Sequence, residues 1–446
     1  MKTPIVDFVA RYAEKGVARF HMPGHKGASF LGCEALDITE VAGADDLHTA
    51  EGIILESERN ASALFGTAHS FYSTEGSTLC IKAMLALATL GLPKGRRPLI
   101  LAARNAHKAF LYAVAMLDLD VEWIDLPADS HLCGCQVTAE EIARMLETMP
   151  QAPDAVYLTS PDYLGKLADV AGISRVCQAN GIPLLVDNAH GAYLQFLSPS
   201  MHPIALGATI CCDSAHKTLP VLTGGAYLHI SKAADATILQ AARDRLALFA
   251  STSPSYLILQ SLDLCNSYLV EGYAEKLACF IDKVERVKRK LADFGFWVEE
   301  SEPLKLVIRT TRSGYTGESL AEGLRKEGIE VELADTEYLV LMLSPENTDA
   351  ELERLVDALG KIEQREAIET ALVPILREES RMTVREAMLA DCETLPTELA
   401  EGRICATPTV SCPPAIPIAI SGEVITERSV KALLAYGITS VKVVRE

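Results

Sequence analysis

A chain of 446 residues, 49% apolar and 23% charged, has enough core-forming material for two or three domains and reads as a globular protein, neither fibrous nor disordered. Its formal net charge of -19 argues against a nucleic-acid partner, because a phosphate backbone demands clustered Lys and Arg. Membrane attachment is not expected either: the apolar stretch from Cys80 to Leu92 is too short to span a bilayer and contains Lys82.

The N-terminus has an early acid, Asp7, and no long apolar core, so it does not read as a secretory signal, and the expected compartment is the cytoplasm. Residues 1–50 read as an N-terminal arm. It holds His21-Met-Pro-Gly-His-Lys-Gly27, where Pro and Gly suit a tight loop approaching a ligand or a partner subunit.

From about residue 75 to 230, strand-like and helix-like segments alternate, the pattern of a parallel sheet with crossover helices. The predicted strands are Pro98 to Ala102, Val121 to Asp125, Ala155 to Ser160, Pro183 to Asp187, Thr209 to Cys212 and Gly225 to Ile230. Their continuous apolar character suits a sheet covered on both faces. The predicted helices are Thr78 to Leu90, His107 to Leu117, Thr138 to Glu147 and Val170 to Asn180.

Beyond residue 231 a charged amphipathic helix is expected from Tyr273 to Phe294, bridging two domains. A smaller unit follows, with strands Leu304 to Arg309 and Tyr338 to Leu343 and helices Ser319 to Gly328 and Asp349 to Glu369. From about Ala371 the chain becomes proline-rich and reads as a third small domain. The expected fold class is therefore α/β: a large domain with a mostly parallel sheet covered by helices, a small α/β domain and a C-terminal α+β domain. The expected boundaries are 51–240, 241–370 and 371–446.

Twelve cysteines scattered through so long a chain read as reduced thiols. Cys133-Gly-Cys135 and Cys211-Cys212 lack the paired spacing of a zinc site, so no metal is expected.

The polar residues gather where strands end, which is where α/β sheets bind ligands. Lys217 lies between two apolar runs, in Ser214-Ala-His-Lys217. A lysine whose cation is destabilised by its surroundings loses a proton and attacks a carbonyl, as in a Schiff base with pyridoxal phosphate. Ser214 and His216 offer a hydroxyl and an imidazole to a phosphate. Gly76-Ser77-Thr78 opens an apolar helix, a ready anion site, though Ser and Thr are also ordinary helix caps. Asp187 ends an apolar strand, where a carboxylate can keep a pyridine nitrogen protonated; Ala189 would pack against the ring without crowding it, and His107 would stack on one face, leaving the other to Lys217.

In chain order these residues resemble the pyridoxal-phosphate-dependent ornithine/lysine/arginine decarboxylase family, of the aspartate-aminotransferase-like fold type. The resemblance rests on His21 to Gly27, Asp45-Asp46-Leu47, Leu64-Phe65-Gly66, Arg104-Asn105-Ala106-His107-Lys108 and Thr159 to Gly165. It extends through Asp187-Asn-Ala-His-Gly191, Ser214-Ala-His-Lys-Thr-Leu-Pro220, Thr252-Ser253-Pro254, Pro413 to Pro417 and Gly422-Glu423. The resemblance implies a decarboxylase of arginine, lysine or ornithine that releases CO2 and a di- or polyamine precursor.

By the same resemblance Lys217 is the Schiff-base lysine, Asp187 the pyridinium partner and His107 the stacking residue. Gly76, Ser77, Thr78, Ala189, His190, Ser214 and His216 would surround the cofactor. Thr252 would reach the neighbouring subunit's phosphate, so a homodimer with its site at the subunit interface is expected. The chain departs from the family pattern at Glu75 (for Asn), Asn188 (for Glu), Ala415 (for Gly) and Ser421 (for Pro). Glu75 beside a phosphate turn would be repulsive unless it points away or pairs. Two other readings stand: a different pyridoxal-phosphate reaction on an amino acid, for which Arg104, Arg243 or Arg403 would hold a substrate carboxylate, and a non-catalytic cofactor-binding homologue.

Overall fold

The computed structural model describes residues 1–93, 95–124, 131–134, 137–369, 375, 377–408 and 414–446. In chain order its elements begin with α1 Pro4–Glu14, α2 Ile53–Phe65, β1 His69–Ser73, α3 Gly76–Ala88, β2 Leu99–Ala103, α4 Lys108–Leu117 and β3 Asp120–Ile124. Next come α5 Ala139–Thr148, β4 Ala155–Thr159, α6 Val170–Ala179, β5 Leu184–Asp187, β6 Ile210–Asp213, α7 Ala215–Thr218 and β7 Ala226–Ile230. There follow α8 Ala236–Ala247, α9 Tyr256–Val270, α10 Tyr273–Asp293, β8 Lys305–Arg309, α11 Gly317–Lys326, β9 Leu333–Ala334, β10 Tyr338–Met342 and α12 Asp349–Gly360. The last are α13 Val384–Leu389, β11 Cys392–Pro396, α14 Glu427–Ala435 and β12 Ser440–Val444.

Among the described residues a seven-stranded sheet runs in the order β1-β7-β6-β5-β4-β2-β3. The pairs β5–β6 and β2–β3 are parallel, but β7 runs antiparallel to both β6 and β1. The sheet is mostly parallel, as expected, with the strand predicted at Gly225 to Ile230 reversed. The reason is local: the connection from β6 to β7 holds only the four-residue α7, too short a crossover to bring the chain back alongside in the same direction. His69–Ser73, unmarked in the sequence reading, supplies the antiparallel edge.

The chain divides into two compact units. The first comprises Met1–Lys94, Asp154–Val156 and Val170–Lys276; the second comprises Gly95–Pro153, Tyr157–Asp169 and Leu277–Glu446. In the first, α3 is apolar nearly all round, and everything from Leu79 to Ala88 except Lys82 is buried, as a helix lying against a sheet requires. The Asp45-Asp46-Leu47 motif is structural here: Asp45 Oδ2 accepts from Gly52 N at 2.8 Å and Ile54 N at 3.0 Å, capping α2. Gly66 closes that helix in the left-handed conformation at φ 68°, which glycine adopts without penalty.

Asp263 of α9 caps α1 from across the same unit. Its Oδ2 accepts from Ile5 N at 2.9 Å and Val6 N at 3.1 Å, where Thr3 makes no side-chain cap, and Ser57 Oγ donates to its Oδ1 at 2.6 Å. Burial pushes the Asp263 carboxyl up to about 6, against these hydrogen bonds, which lower it. A carboxyl raised on folding binds its proton more tightly in the native state, so its stabilisation is full below pH 4 and is lost as pH rises through about 6. A shift of about two units corresponds to about 3 kcal/mol. Urea melts of the parent and Asp263→Asn should therefore diverge by that order between pH 4 and 7, the parent losing ground; curves that stay parallel would contradict the assignment.

In the second unit β2 and β3 pair in parallel, while β8-β10-β9 form an antiparallel sheet carrying α11 and α12. The ladder β11–β12 is antiparallel too and packs with α14 in the C-terminal part. Helix α12 ends at Gly360 rather than at the expected Glu369. Beyond it Arg365 N donates to Ser313 O and Ile368 N to Thr311 O, so the chain bonds to the 3-10 turn Thr310–Ser313 that follows β8 instead of continuing the helix. The expected boundary at Ala371 lies outside the described residues, as do Asp125 and Cys135.

Candidate active site

All but one of the residues expected to hold the cofactor or react lie in the first unit. Gly76 takes φ 71°, open to glycine at no cost, and starts α3 without a side-chain cap from Glu75. A Cβ at Gly76 would meet nothing within 4 Å. The uncapped first turn leaves backbone N–H groups available to an anion. Ser214 Oγ donates to Ser77 Oγ at 2.8 Å, and Gly76 N donates to Gly224 O at 2.7 Å. These two bonds tie the start of α3 to the segment on either side of Lys217. Ser214 is buried, Ser77 is half-buried and Thr78 is exposed.

Glu75 points away from that turn: its Oε1 accepts from Ser251 N at 2.7 Å, which answers the expected repulsion. His48 Nε2 lies 3.1 Å from Ser251 O, so the loop carrying the exposed Thr252 is held at both the amide and the carbonyl of its neighbour.

Strand β5 delivers Asp187, 2% exposed, to its carboxyl end. Its Oδ1 accepts from Ala189 N at 3.2 Å and from Cys212 Sγ at 3.7 Å. The turn that follows is closed by Gly191 N donating to Asn188 O at 2.8 Å. A Cβ at Gly191 would fall 2.0 Å from Asn188 Oδ1, so this position excludes any side chain. His190, buried on the same turn, places Nε2 2.9 Å from Lys217 Nζ.

Lys217 itself is exposed, although the strands on either side of it are buried. It sits on the single turn of α7 rather than in the sheet. His216 Nδ1 donates to Gly225 O at 3.0 Å, which leaves Nε2 as the ring's remaining polar atom. Burial lowers the His216 pKa below the usual imidazole value; the Gly225 bond opposes this and the Lys217 charge adds to it.

Behind this surface lies a cluster that the sequence reading did not find. Asp213, at the end of β6 and 0% exposed, accepts at Oδ2 from His202 Nε2 (3.0 Å) and His229 Nε2 (3.1 Å). At Oδ1 it accepts from Asn188 Nδ2 (2.7 Å) and Cys211 Sγ (3.6 Å). The two imidazoles hold the Asp213 carboxyl well below the usual carboxylate range against its burial. His202, Cys211 and Asp213 are close enough together to suggest an ion site, but the chemistry speaks for a hydrogen-bond network. His202 Nδ1 accepts from Ile204 N at 3.3 Å, so Nε2 carries the proton of the neutral ring and has no lone pair for a metal. Burial pushes the Cys211 thiol up, keeping it protonated.

His107 belongs to the second unit, where it caps α4 by accepting at Nδ1 from Ala109 N at 3.1 Å. Lys108 N donates to Ala415 O at 2.9 Å. Arg104 is buried and donates to Pro417 O and Ile418 O at 2.7 and 2.8 Å, with Glu423 Oε2 at 3.8 Å. The proline-rich motif is thus bonded to the segment that bears His107. Glu423 is buried as Arg104's partner, and burial raises its carboxyl pKa. The other arginines considered for a substrate carboxylate are also engaged, Arg243 with Glu58 and Arg403 with Glu393 and Glu446. In the arm, His21 Nε2 lies 2.6 Å from Tyr12 Oη and His25 Nε2 3.2 Å from Asp37 Oδ2.

Residues 3–296 match the family model described as "Orn/Lys/Arg decarboxylase, major domain". The chain belongs to the ornithine/lysine/arginine decarboxylase family. An uncharacterized protein, YaaO, of Bacillus subtilis is 32% identical over 97% of this chain and 94% of its own length. The arginine decarboxylase of the same organism is 30% identical over 96% and 92%. Among solved structures, the Francisella novicida lysine decarboxylase LdcF superposes with a TM-score of 0.81 at 18% identity, covering 99% of this chain and 81% of that one. A NifS-like protein gives 0.57 at 16% identity over 81% and 95%, so the fold is shared beyond the decarboxylases. As a member of this decarboxylase family the chain is an enzyme that decarboxylates a basic amino acid.

Proposed function

We propose that this family member decarboxylates arginine, with pyridoxal phosphate held by Lys217, as a cytoplasmic homodimer whose product feeds polyamine synthesis. The observation that carries the reading is the assembly within one unit of a lysine Nζ at 2.9 Å from a buried imidazole, a buried strand-end carboxylate and an uncapped helix start lined by hydroxyls. This donor set fits the cofactor. The first turn of α3 with Ser77, Thr78, Ser214 and His216 would take the phosphate, and Asp187 the pyridine nitrogen. Ala189 would pack against the ring, and His107 is proposed as the stacking residue. Arginine is favoured because full-length relatives from four bacilli carry the name arginine decarboxylase, whereas the lysine decarboxylase of Escherichia coli matches 64% of the chain at 24% identity.

Bound there, the cofactor supplies an electron sink for the pair left at Cα when CO2 departs. The chain's own residues prepare and control that step. Lys217 Nζ lies 2.9 Å from His190 Nε2, so the neutral imidazole accepts a hydrogen bond from the more basic lysine and holds its Nζ in place. Asp187 would stand against the pyridine nitrogen and, as a carboxylate, would hold a proton there. The packed turn 187–191 and the Ser77–Ser214 bond fix these groups before substrate arrives, and binding energy then goes into orientation.

A dimer is supported by the arm, where Phe20, Phe30 and Leu31 are 96%, 79% and 89% exposed and suit burial against a second copy. The exposed Thr252 loop, fastened through Glu75 and His48, would then meet the neighbouring subunit's phosphate. Among the described residues no helix is long and apolar enough to cross a membrane. We also propose 51–240 as the cofactor-binding domain, 241–370 as bridging helices with a small α/β domain, and 371–446 as a C-terminal domain.

The test is a mass-spectrometric assay of cofactor-saturated protein with arginine, lysine and ornithine offered separately. Agmatine from arginine, at a rate well above cadaverine or putrescine formation, is the expected result. Cadaverine as the dominant product would reassign the substrate to lysine, and no amine from any of the three would end the reading.

A further inference from the structure

We propose that Asp213 is a positioning residue: through Asn188 it holds the 187–191 turn that presents Asp187 and His190, and the Asn188–Asp213 pair has room for one negative charge only. This rests on the reading of Asp187, His190 and Lys217 as the cofactor site.

Asn188 and Asp213 stand at the ends of the adjacent parallel strands β5 and β6, and both are fully buried. Three of the polar groups of Asn188 are bonded, and its buried Oδ1 lies against Gly191 without a hydrogen-bond partner among the described residues. Its N donates to Cys212 O at 2.9 Å, its carbonyl accepts from Gly191 N, and its Nδ2 donates to Asp213 Oδ1 at 2.7 Å. Gly191 leaves Asn188 Oδ1 just enough room where it lies. Turning the amide over would aim that oxygen at the Asp213 carboxylate, so the orientation is fixed.

Donor accounting explains why the acid is at 213. His202 Nε2, His229 Nε2, Asn188 Nδ2 and Cys211 Sγ all donate to Asp213. Only a side chain that accepts at both terminal atoms satisfies them, and that is an ionised carboxylate. A glutamate at 188, which the family pattern leads one to expect there, would set a second carboxylate against the first in a dry site, and one of the two would have to take up a proton. The amide at 188 and the buried acid at 213 therefore go together. Asp213 touches neither Lys217 nor the expected cofactor atoms; its effect reaches them through Asn188.

The accounting predicts a rescue. In Asp213→Asn the new amide NH2 faces either the imidazole N–H groups or the Asn188 NH2, donor against donor, unless the Asn188 amide turns over and sets its own NH2 against Gly191, where the turn is tightest. In Asn188→Asp two carboxylates meet. In the double variant Asn188→Asp/Asp213→Asn, the amide at 213 donates to the acid at 188, and its carbonyl accepts from both imidazoles.

Four full-length proteins, the parent, the two single variants and the double, would be stripped of cofactor and titrated with pyridoxal phosphate. The absorbance of the bound chromophore gives the affinity, borohydride trapping with peptide mass spectrometry gives the attachment site, and thermal unfolding of the stripped proteins gives stability. Each single substitution is expected to weaken binding about tenfold, the scale of coupling within one hydrogen-bonded network, and the double to recover most of that loss. A double variant that binds no better than the weaker single would overturn the proposal. So would single variants that unfold at lower temperature but bind and turn over like the parent, since that is a purely structural role. Should Asp213→Asn fail to fold, Asn188→Ala, which cuts the link and leaves Asp213 with its imidazoles, carries the test: unchanged affinity would overturn it. A parent that attaches no cofactor at Lys217 would instead remove the underlying site reading, and the inference with it.

Discussion

Replacing Lys217 with alanine is expected to lower amine formation by on the order of 10^4-fold or more, the scale seen when the nucleophile of a covalent mechanism is removed. The fold should survive. Lys217 is exposed on a one-turn helix, and surface truncations of that kind usually move stability by less than about 0.5 kcal/mol. Lys217→Arg should be as inactive as the alanine variant, because it keeps a cation near His190 Nε2 but offers no amine that can be deprotonated. Two readouts decide the matter together: product mass, and the mass of the borohydride-reduced cofactor peptide. Loss of activity with the cofactor still attached through another lysine would assign the reactive amine elsewhere.

A comparable loss, in stability and not in chemistry, is expected from Glu58→Ala. Glu58 lies on α2 and is 0% exposed. Its carboxylate receives Arg243 Nη2 at 2.5 Å, His69 Nε2 at 2.9 Å and Tyr72 N at 3.0 Å. Arg243 in turn stacks its guanidinium 5.0 Å above the Phe71 ring and donates to Leu47 O at 2.7 Å. Removing the acid leaves a largely buried guanidinium without its counter-charge and strands a backbone donor in β1. Breaking one side of a buried ion pair costs about 3–5 kcal/mol. Glu58→Gln, which keeps an acceptor for Tyr72 N, should lose less. Urea melts of the stripped protein would measure both, and a loss below about 1 kcal/mol for the alanine variant would refute this account.

Glu58 also marks a limit of sequence reading, since a glutamate in an amphipathic stretch reads as a solvated face. Nothing local tells it apart from Glu56, which is exposed two residues away. The same holds for Asp263, whose partners Ile5 and Val6 lie more than 250 positions earlier in the chain. His202 and His229 likewise read as scattered histidines. Their meeting on Asp213 depends on the pairing of β6 with the reversed strand β7.

Strand direction was not readable for a related reason. Gly225 to Ile230 has the apolar run of any buried strand, and its antiparallel sense follows from the length of the α7 connection. The end of α12 depended on a competing backbone partner at residues 311–313, which periodicity cannot reveal.

What the sequence determined by itself is what short-range physics encodes. Runs of apolar residues at strand and helix periods placed most of the elements of the large sheet within a residue or two. The chain order of Gly76-Ser77-Thr78, His107, Asp187 and Lys217 indicated a cofactor chemistry and a family before any coordinate was known. What only the tertiary structure decided is which groups answer one another: Glu75 with Ser251, Lys217 with His190, Asn188 with Asp213, and Arg104 with the carbonyls of the proline-rich motif. Each of these is a hydrogen bond between positions far apart in the chain, and those of Asn188 and Arg104 lie in the protein's interior. Burial makes such partners obligatory, because an unmatched donor or charge there is costly, but it does not say which residue the partner will be; that is settled by strand order and register.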